Sequence, residues 1–113
     1  MAYDEFLADR IRKALSEVQV KYSEKKMFGG IAFMVEDKMC MGVIKDKLMA
    51  RVGPEAHEEA LKLQGASPMD FTGRPMKGYL FVEPIGLDHE EQFDHWISLC
   101  LAFNPLAKSS KKP

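Results

Sequence analysis

Apolar positions change their period several times along the 113 residues, and each change marks an element. Leu7, Ile11, Ala14, Leu15 and Val18 recur at the spacing of one helical face, with Asp4 and Glu5 suited to the N-terminal dipole. Two apolar runs, 31–35 and 39–44, are joined by Glu36-Asp37-Lys38; past Lys45-Asp46, Leu48, Ala50 and Val52 then alternate with Met49 and Arg51. That pattern predicts an antiparallel meander. Residues 22–27 leave room for a further short strand, but their charges keep it out of the predicted order. Gly53-Pro54 ends the meander, and Pro54 followed by Glu55, Glu58 and Glu59 predicts a second helix closed by Gly65, with His57 on its surface.

Residues 66–76 hold Ser67-Pro68, Asp70, Thr72-Gly73 and Arg74-Pro75, which predicts a loop, while Met69, Phe71 and Met76 require that loop to pack. A strand over 79–83 ends at Pro84. The last helix is predicted to open with Asp88 as N-cap and Glu91 completing a capping box. Phe93, Trp96, Ile97, Cys100, Leu101 and Phe103 form its buried stripe, and Asn104-Pro105 stops it. The predicted class is α+β: a single-domain antiparallel sheet, a meander plus a further strand, packed by helices in the order α-β-β-β-α-β-α. The domain spans 1–104, and 105–113 form a disordered basic tail with Lys108, Lys111 and Lys112.

Composition narrows the partner classes. Sixteen basic residues against seventeen acidic ones leave a net charge of -1, so no global field draws phosphate backbones, and specific DNA binding by this chain alone is not expected. No apolar run reaches the roughly 20 residues that cross a bilayer, and the acidic N-terminus lacks the pattern of a secretory signal, so no membrane partner and a cytoplasmic location are expected. Cys40 and Cys100 lie far apart among apolar neighbours, which predicts buried reduced thiols and no zinc site.

The residues with chemistry in them do not assemble into a catalytic pattern. His89 and His95 lie near Glu90, Glu91 and Asp94, but the i, i+4 histidine pair that presents two imidazoles to zinc is missing. Ser67, Thr72 and Cys40 are the arguable nucleophiles, and apolar burial suppresses the thiolate of Cys40. No cofactor and no metal are expected. Gly29-Gly30, in Met27-Phe28-Gly29-Gly30, supplies backbone angles or a close approach where a strand begins. It matches no phosphate-binding fingerprint, although its amides, with Arg51, Arg74 or Lys77, define an anion-binding alternative.

Taken in order, Lys26-Met27-Phe28-Gly29-Gly30-Ile31, Lys38-Met39, Leu48, Arg51-Val52, Pro68-Met69 and Arg74-Pro75-Met76-Lys77-Gly78-Tyr79 make the chain resemble the TfoX N-terminal domain (TfoX/Sxy) family over roughly residues 5–103. The resemblance implies a small α+β sandwich and a link to regulators of natural competence. Longer members carry a second, C-terminal domain, which is not expected within these residues, so a transcriptional role is not carried over. No catalytic residue is carried over either.

The expected function is a small non-catalytic regulatory or protein-interaction module, with a protein partner or a second copy of the chain as its target. The alternatives are a small-ligand or anion-binding domain and, behind it, an enzyme. The candidate interaction patch joins Phe28, Gly29, Gly30, Met69, Phe71 and Met76, rimmed by Arg51, Arg74 and Lys77, on the condition that the two irregular segments share one end of the sheet. A concave pocket containing Arg51 or Arg74 would instead favour the ligand reading.

Overall fold

A helix with one apolar stripe and a sheet with one apolar face bury each other as two layers. The computed structural model describes residues 3–27, 29–69 and 77–106. Among the described residues the chain forms helix α1 (Glu5–Glu17), strands β1 (Ser23–Met27), β2 (Gly30–Val35), β3 (Lys38–Ile44) and β4 (Lys47–Arg51), helix α2 (His57–Leu61), strands β5 (Ala66–Pro68) and β6 (Tyr79–Val82), and helix α3 (Glu90–Phe103). The six strands make one antiparallel sheet in the order β1-β2-β3-β4-β6-β5. The α+β class and the single helix-packed antiparallel sheet are as expected.

Two strands exceed the expected order, and both are edges. β1 is charged along its length, which suits an edge because Lys25 and Lys26 discourage another strand from adding to it. Arg12 ties this edge to α1, its Nε and Nη2 donating to the two carboxylate oxygens of Glu24 at 2.7 and 2.9 Å. That fork, with Asp9 alongside, holds the guanidinium charged well beyond its ordinary range. β5 occupies the first residues of the predicted loop. Its Pro68 is tolerated because an edge strand is hydrogen-bonded along one side only.

Alternation sends Ile31, Phe33 and Val35, then Met41 and Val43, then Leu48, Ala50 and Val52 towards the helices, where they meet Leu7, Ile11, Leu15, Phe93, Trp96 and Ile97. Each such fully buried aliphatic or aromatic side chain contributes roughly 1.5–3 kcal/mol. One bulge interrupts the alternation: Phe33 pairs with Met41 but Met34 pairs with Met39, leaving Cys40 as the extra residue. Cys40 and Met41 therefore both join the helix-side core. The opposite face carries a smaller cluster, Ala32, Met39, Met49 and Met69, flanked by Met34, Ile44, Tyr79 and Phe81.

Helix boundaries differ from expectation where capping chemistry decides them. Asp4 caps α1 as its position suggests, accepting from Phe6 N–H at 2.9 Å and Leu7 N–H at 3.3 Å. Val18 falls at the C-cap of that helix and is exposed, so it is not part of the buried stripe. α2 is shorter than predicted: residues 54–56 form turns, and Ala56 at the N-cap offers no side-chain oxygen to the first amides. α3 is capped by His89 rather than Asp88, with Gln92 Oε1 accepting from His89 N–H at 3.2 Å in place of the expected Asp88/Glu91 box. Asn104–Leu106 make a 3₁₀ turn after α3, which places Pro105 and Leu106 of the predicted tail in a turn; the remainder of that tail lies outside the described residues.

Candidate functional site

Antiparallel register separates the sequence-predicted site residues into two groups. Met27 pairs with Gly30 and Ile44 with Lys47 at one end of the sheet, while Val35 pairs with Lys38 and Arg51 with Tyr79 at the other. Gly29 and Gly30 therefore lie at the opposite end of the sheet from Arg51 and Tyr79, while residues 70–76, most of the second irregular segment of the expected patch, lie outside the described residues. Gly29 sits exposed in the turn with φ 77° and open space where a Cβ would project. Gly30 opens β2 and is buried; a Cβ there would run into the backbone oxygen of Val43, so the close approach expected of this motif is present. Met69 is 1% exposed and belongs to the second-face core. Phe28, Phe71, Arg74 and Met76 lie outside the described residues.

At the Arg51 end, two chain segments clamp together through the backbone. Val52 N–H and Gly53 N–H both donate to the Gly78 oxygen, at 2.9 and 3.1 Å, and Gly78 N–H donates to Nδ1 of His57 at 2.8 Å. His57 is thus not the surface residue that its neighbours suggest: it is 6% exposed, and its ring satisfies an amide that would otherwise be buried without a partner. The bond requires an unprotonated Nδ1, so the neutral ring carries its hydrogen on Nε2. Gly53 and Gly78 hold φ values of 91° and 93°. A Cβ on Gly53 would strike the Phe103 ring, with Cε1 only 2.6 Å away, which is how the end of α3 is seated against the end of β4.

Arg51 lies above this clamp. Its guanidinium carbon is 5.2 Å from the centre of the Tyr79 ring and 5.7 Å from that of Phe103, and Nη1 donates to the Met39 oxygen at 3.3 Å. Around it opens a cavity of about 310 Å³ lined by Arg51, Gly53, Pro54, Lys77, Gly78, Tyr79, Phe103 and Leu106. An adjoining groove of about 400 Å³ runs along the last turns of α3 past Val52, Ala56, Leu99, Ala102, Phe103 and Leu106. Leu106 stands between the two and is 75% exposed. A third concavity, about 420 Å³, lies between α1 and α3, where charges of both signs surround exposed Phe6 and the Arg10 guanidinium rests 4.1 Å above the Phe93 ring.

Of the candidate nucleophiles, Cys40 is placed unfavourably for forming a thiolate. Burial pushes the Cys40 thiol up to about 12, with Arg51 opposing slightly, and pushes Cys100 higher still, helped by Cys40. Ser67 lies on β5, paired with Phe81, and Thr72 is outside the described residues. No group of three His, Cys, Asp or Glu side chains able to hold a metal occurs among the described residues.

Sequence reasoning singled out Arg51 and Lys77 but missed His57, Gly53, Phe103 and Leu106. Gly53-Pro54 reads locally as a strand terminator and Phe103 as one more residue of a core stripe. Nothing nearby in the chain signals that they meet. The family model of the TfoX N-terminal domain matches residues 13–104. Comparison with curated proteins and with solved structures returns no match.

Proposed function

The chain belongs to the TfoX N-terminal domain family, and on that premise we propose that it is a regulatory, protein-interaction domain of the competence-regulator type that carries out no chemistry of its own. The observation that supports this most is the apolar groove at the end of α3. There the exposed Leu106 continues a surface of Val52, Leu99 and Phe103, with Arg51 stacked beside it. Apolar centre, aromatic ring and flanking arginine are the composition of residues that carry binding energy at protein interfaces.

The non-catalytic part of the proposal rests on the thiols and on His57: the thiols resist ionisation, and the His57 ring is engaged by a backbone amide. Buried unpaired thiols suit a reducing compartment, so the cytoplasm is the proposed location. No helix among the described residues is long and apolar enough to cross a membrane. The near-neutral charge balance favours a protein target over DNA.

The groove is tested by placing a charge in it. Leu106→Asp and Ala102→Glu are compared with Ile85→Asp, an exposed apolar control on a different turn. Crosslinking in the native cell and sedimentation of the purified protein read partner binding and self-association. Selective loss in the two groove variants, with unchanged melting temperature, is the expected result. A pattern of crosslinks and association states identical to that of the parent refutes this surface as the docking site.

A further inference from the structure

We propose that the concavity between α1 and α3 binds a zwitterionic amino acid with an apolar side chain. It shares no lining residue with the groove at the end of α3 among the described residues, so the two readings fail separately.

Charges of both signs line it, and half of them are already engaged. Asp9 is held by Arg12 at 2.6 Å, while Arg10 lies over the Phe93 ring with Glu90 at 3.5 Å. The other charged lining residues are Lys13, Glu17 and Asp94, whose side chains make no ion pair among the described residues. Lys13 and Glu17 are one helical turn apart on α1, and Asp94 belongs to α3. A bond between Lys13 and Glu17 would be an exposed i, i+4 contact of the weak kind, which the charges of a ligand readily replace.

One cation and two carboxylates left over in one concavity define what it accepts. A simple anion meets Glu17 and Asp94, and a simple cation meets Lys13 and Arg10. An α-amino acid carries both charges on one carbon: its carboxylate accepts from Lys13 Nζ, and its ammonium donates to the carboxylate of Asp94 or Glu17.

The remaining lining asks for an apolar body on that zwitterion. Phe6 is 74% exposed on the first turn of α1, and Ala14 lies about two turns further along the helix. An apolar side chain laid against the Phe6 ring removes surface of both from water. The volume of about 420 Å³ suits a small molecule and leaves room beyond a bare ammonium and carboxylate, which favours an aromatic or branched amino acid over glycine.

The probe is L-phenylalanine, titrated into the whole chain and followed through the backbone amide resonances. Phenethylamine lacks the carboxylate, 3-phenylpropionate lacks the ammonium, and glycine lacks the apolar body. Saturable binding of phenylalanine that moves the Lys13, Ala14 and Asp94 amides is expected, with each of the three analogues at least about tenfold weaker. Lys13→Gln is expected to weaken phenylalanine about tenfold and to erase its preference over phenethylamine. Asp94→Asn is expected to weaken it about three- to tenfold, Glu17 remaining as an acceptor. Phe6→Ser is expected to reduce phenylalanine to the affinity of glycine. All three substitutions fall at exposed positions. Lys25→Gln, at an exposed lysine on β1, is expected to leave the affinity unchanged. The proposal is overturned by any of four results: no saturation by about 20 mM phenylalanine; equal affinity of the parent for phenethylamine or 3-phenylpropionate; shifts confined to another surface; or an affinity unaltered in both Lys13→Gln and Asp94→Asn.

Discussion

At the end of the sheet where β1 turns into β2, Gly29 and Gly30 are adjacent in the chain and solve a local problem: one makes the turn, and the other lets β2 approach the Val43 carbonyl. At the opposite end, Gly53 and Gly78 belong to separate segments, both with positive φ; Gly53 seats Phe103, and the Gly78 oxygen accepts the Val52 and Gly53 N–H bonds that frame the Arg51 cavity. The conspicuous glycines shape a hairpin, whereas the inconspicuous ones shape the candidate site. Buried polar groups divide the same way. His57, packed against Gly78, and the thiols of Cys40 and Cys100, which lie within electrostatic reach of Arg51 or its backbone, gather at the second end.

The sharpest break of this comparison is Gly53→Ala. The new Cβ is strained by φ 91° and collides with the Phe103 ring, so chemical denaturation is expected to register a loss of about 3–4 kcal/mol. Phe103→Ala in the same chain should relieve the collision and make the two changes less than additive. At the other end, Gly30→Ala is expected to cost about 3 kcal/mol, since the obstructing atom is a backbone oxygen that cannot rotate aside. A cost below about 1 kcal/mol would show that β2 has slack the structure denies.

Truncating His57→Ala leaves the Gly78 amide without its acceptor and should cost about 2 kcal/mol, with hydrogen exchange at that amide accelerated. His57→Asn, which keeps an acceptor near the position of Nδ1, should recover part of the loss.

The thiols sharpen the comparison through pH. The Cys40 thiol titrates near 9.0 when unfolded and at about 12 when buried, so it stabilises the fold fully below pH 9 and this contribution is lost as pH rises towards about 12. By about pH 10.5 the loss reaches roughly 2 kcal/mol. Unfolding free energies measured across that window should fall less steeply in Cys40→Ala than in the parent. Identical slopes would mean that the thiol is already accessible in the native state.

The smallest effect is expected at Gly29→Ala, about 1 kcal/mol, because only the φ of 77° is unfavourable and no atom obstructs the methyl group. Gly29→Asn should cost less, and a loss comparable to that of Gly30→Ala would erase the distinction between turn and approach.

Local rules were legible where each element answers to its own residues. Most of the α1 stripe, the meander and the stop at Asn104 follow from periodicity and helix-end chemistry. Misreadings occurred where a neighbour decided the outcome. Charged residues 23–27 become a strand because β2 offers them an edge, and Ser67-Pro68 joins β6 because an edge strand can accommodate proline. His57 looked solvent-facing because its partner, the Gly78 amide, lies far along the chain.

What the sequence determined by itself is the class of the fold, the order of most elements, the buried setting of the thiols and the family, since periodicity, turn chemistry and motif spacing are properties of neighbouring residues. Tertiary structure alone decided which motifs meet. Register carried Gly29-Gly30 to one end of the sheet and Arg51 to the other, because antiparallel pairing reverses direction at each turn. It also set Arg51 against Tyr79, directly across the β4–β6 pair, and brought Phe103 from the end of α3 to the Arg51 guanidinium, so that a stacked cation and an apolar cavity arise from residues with no local reason to be related.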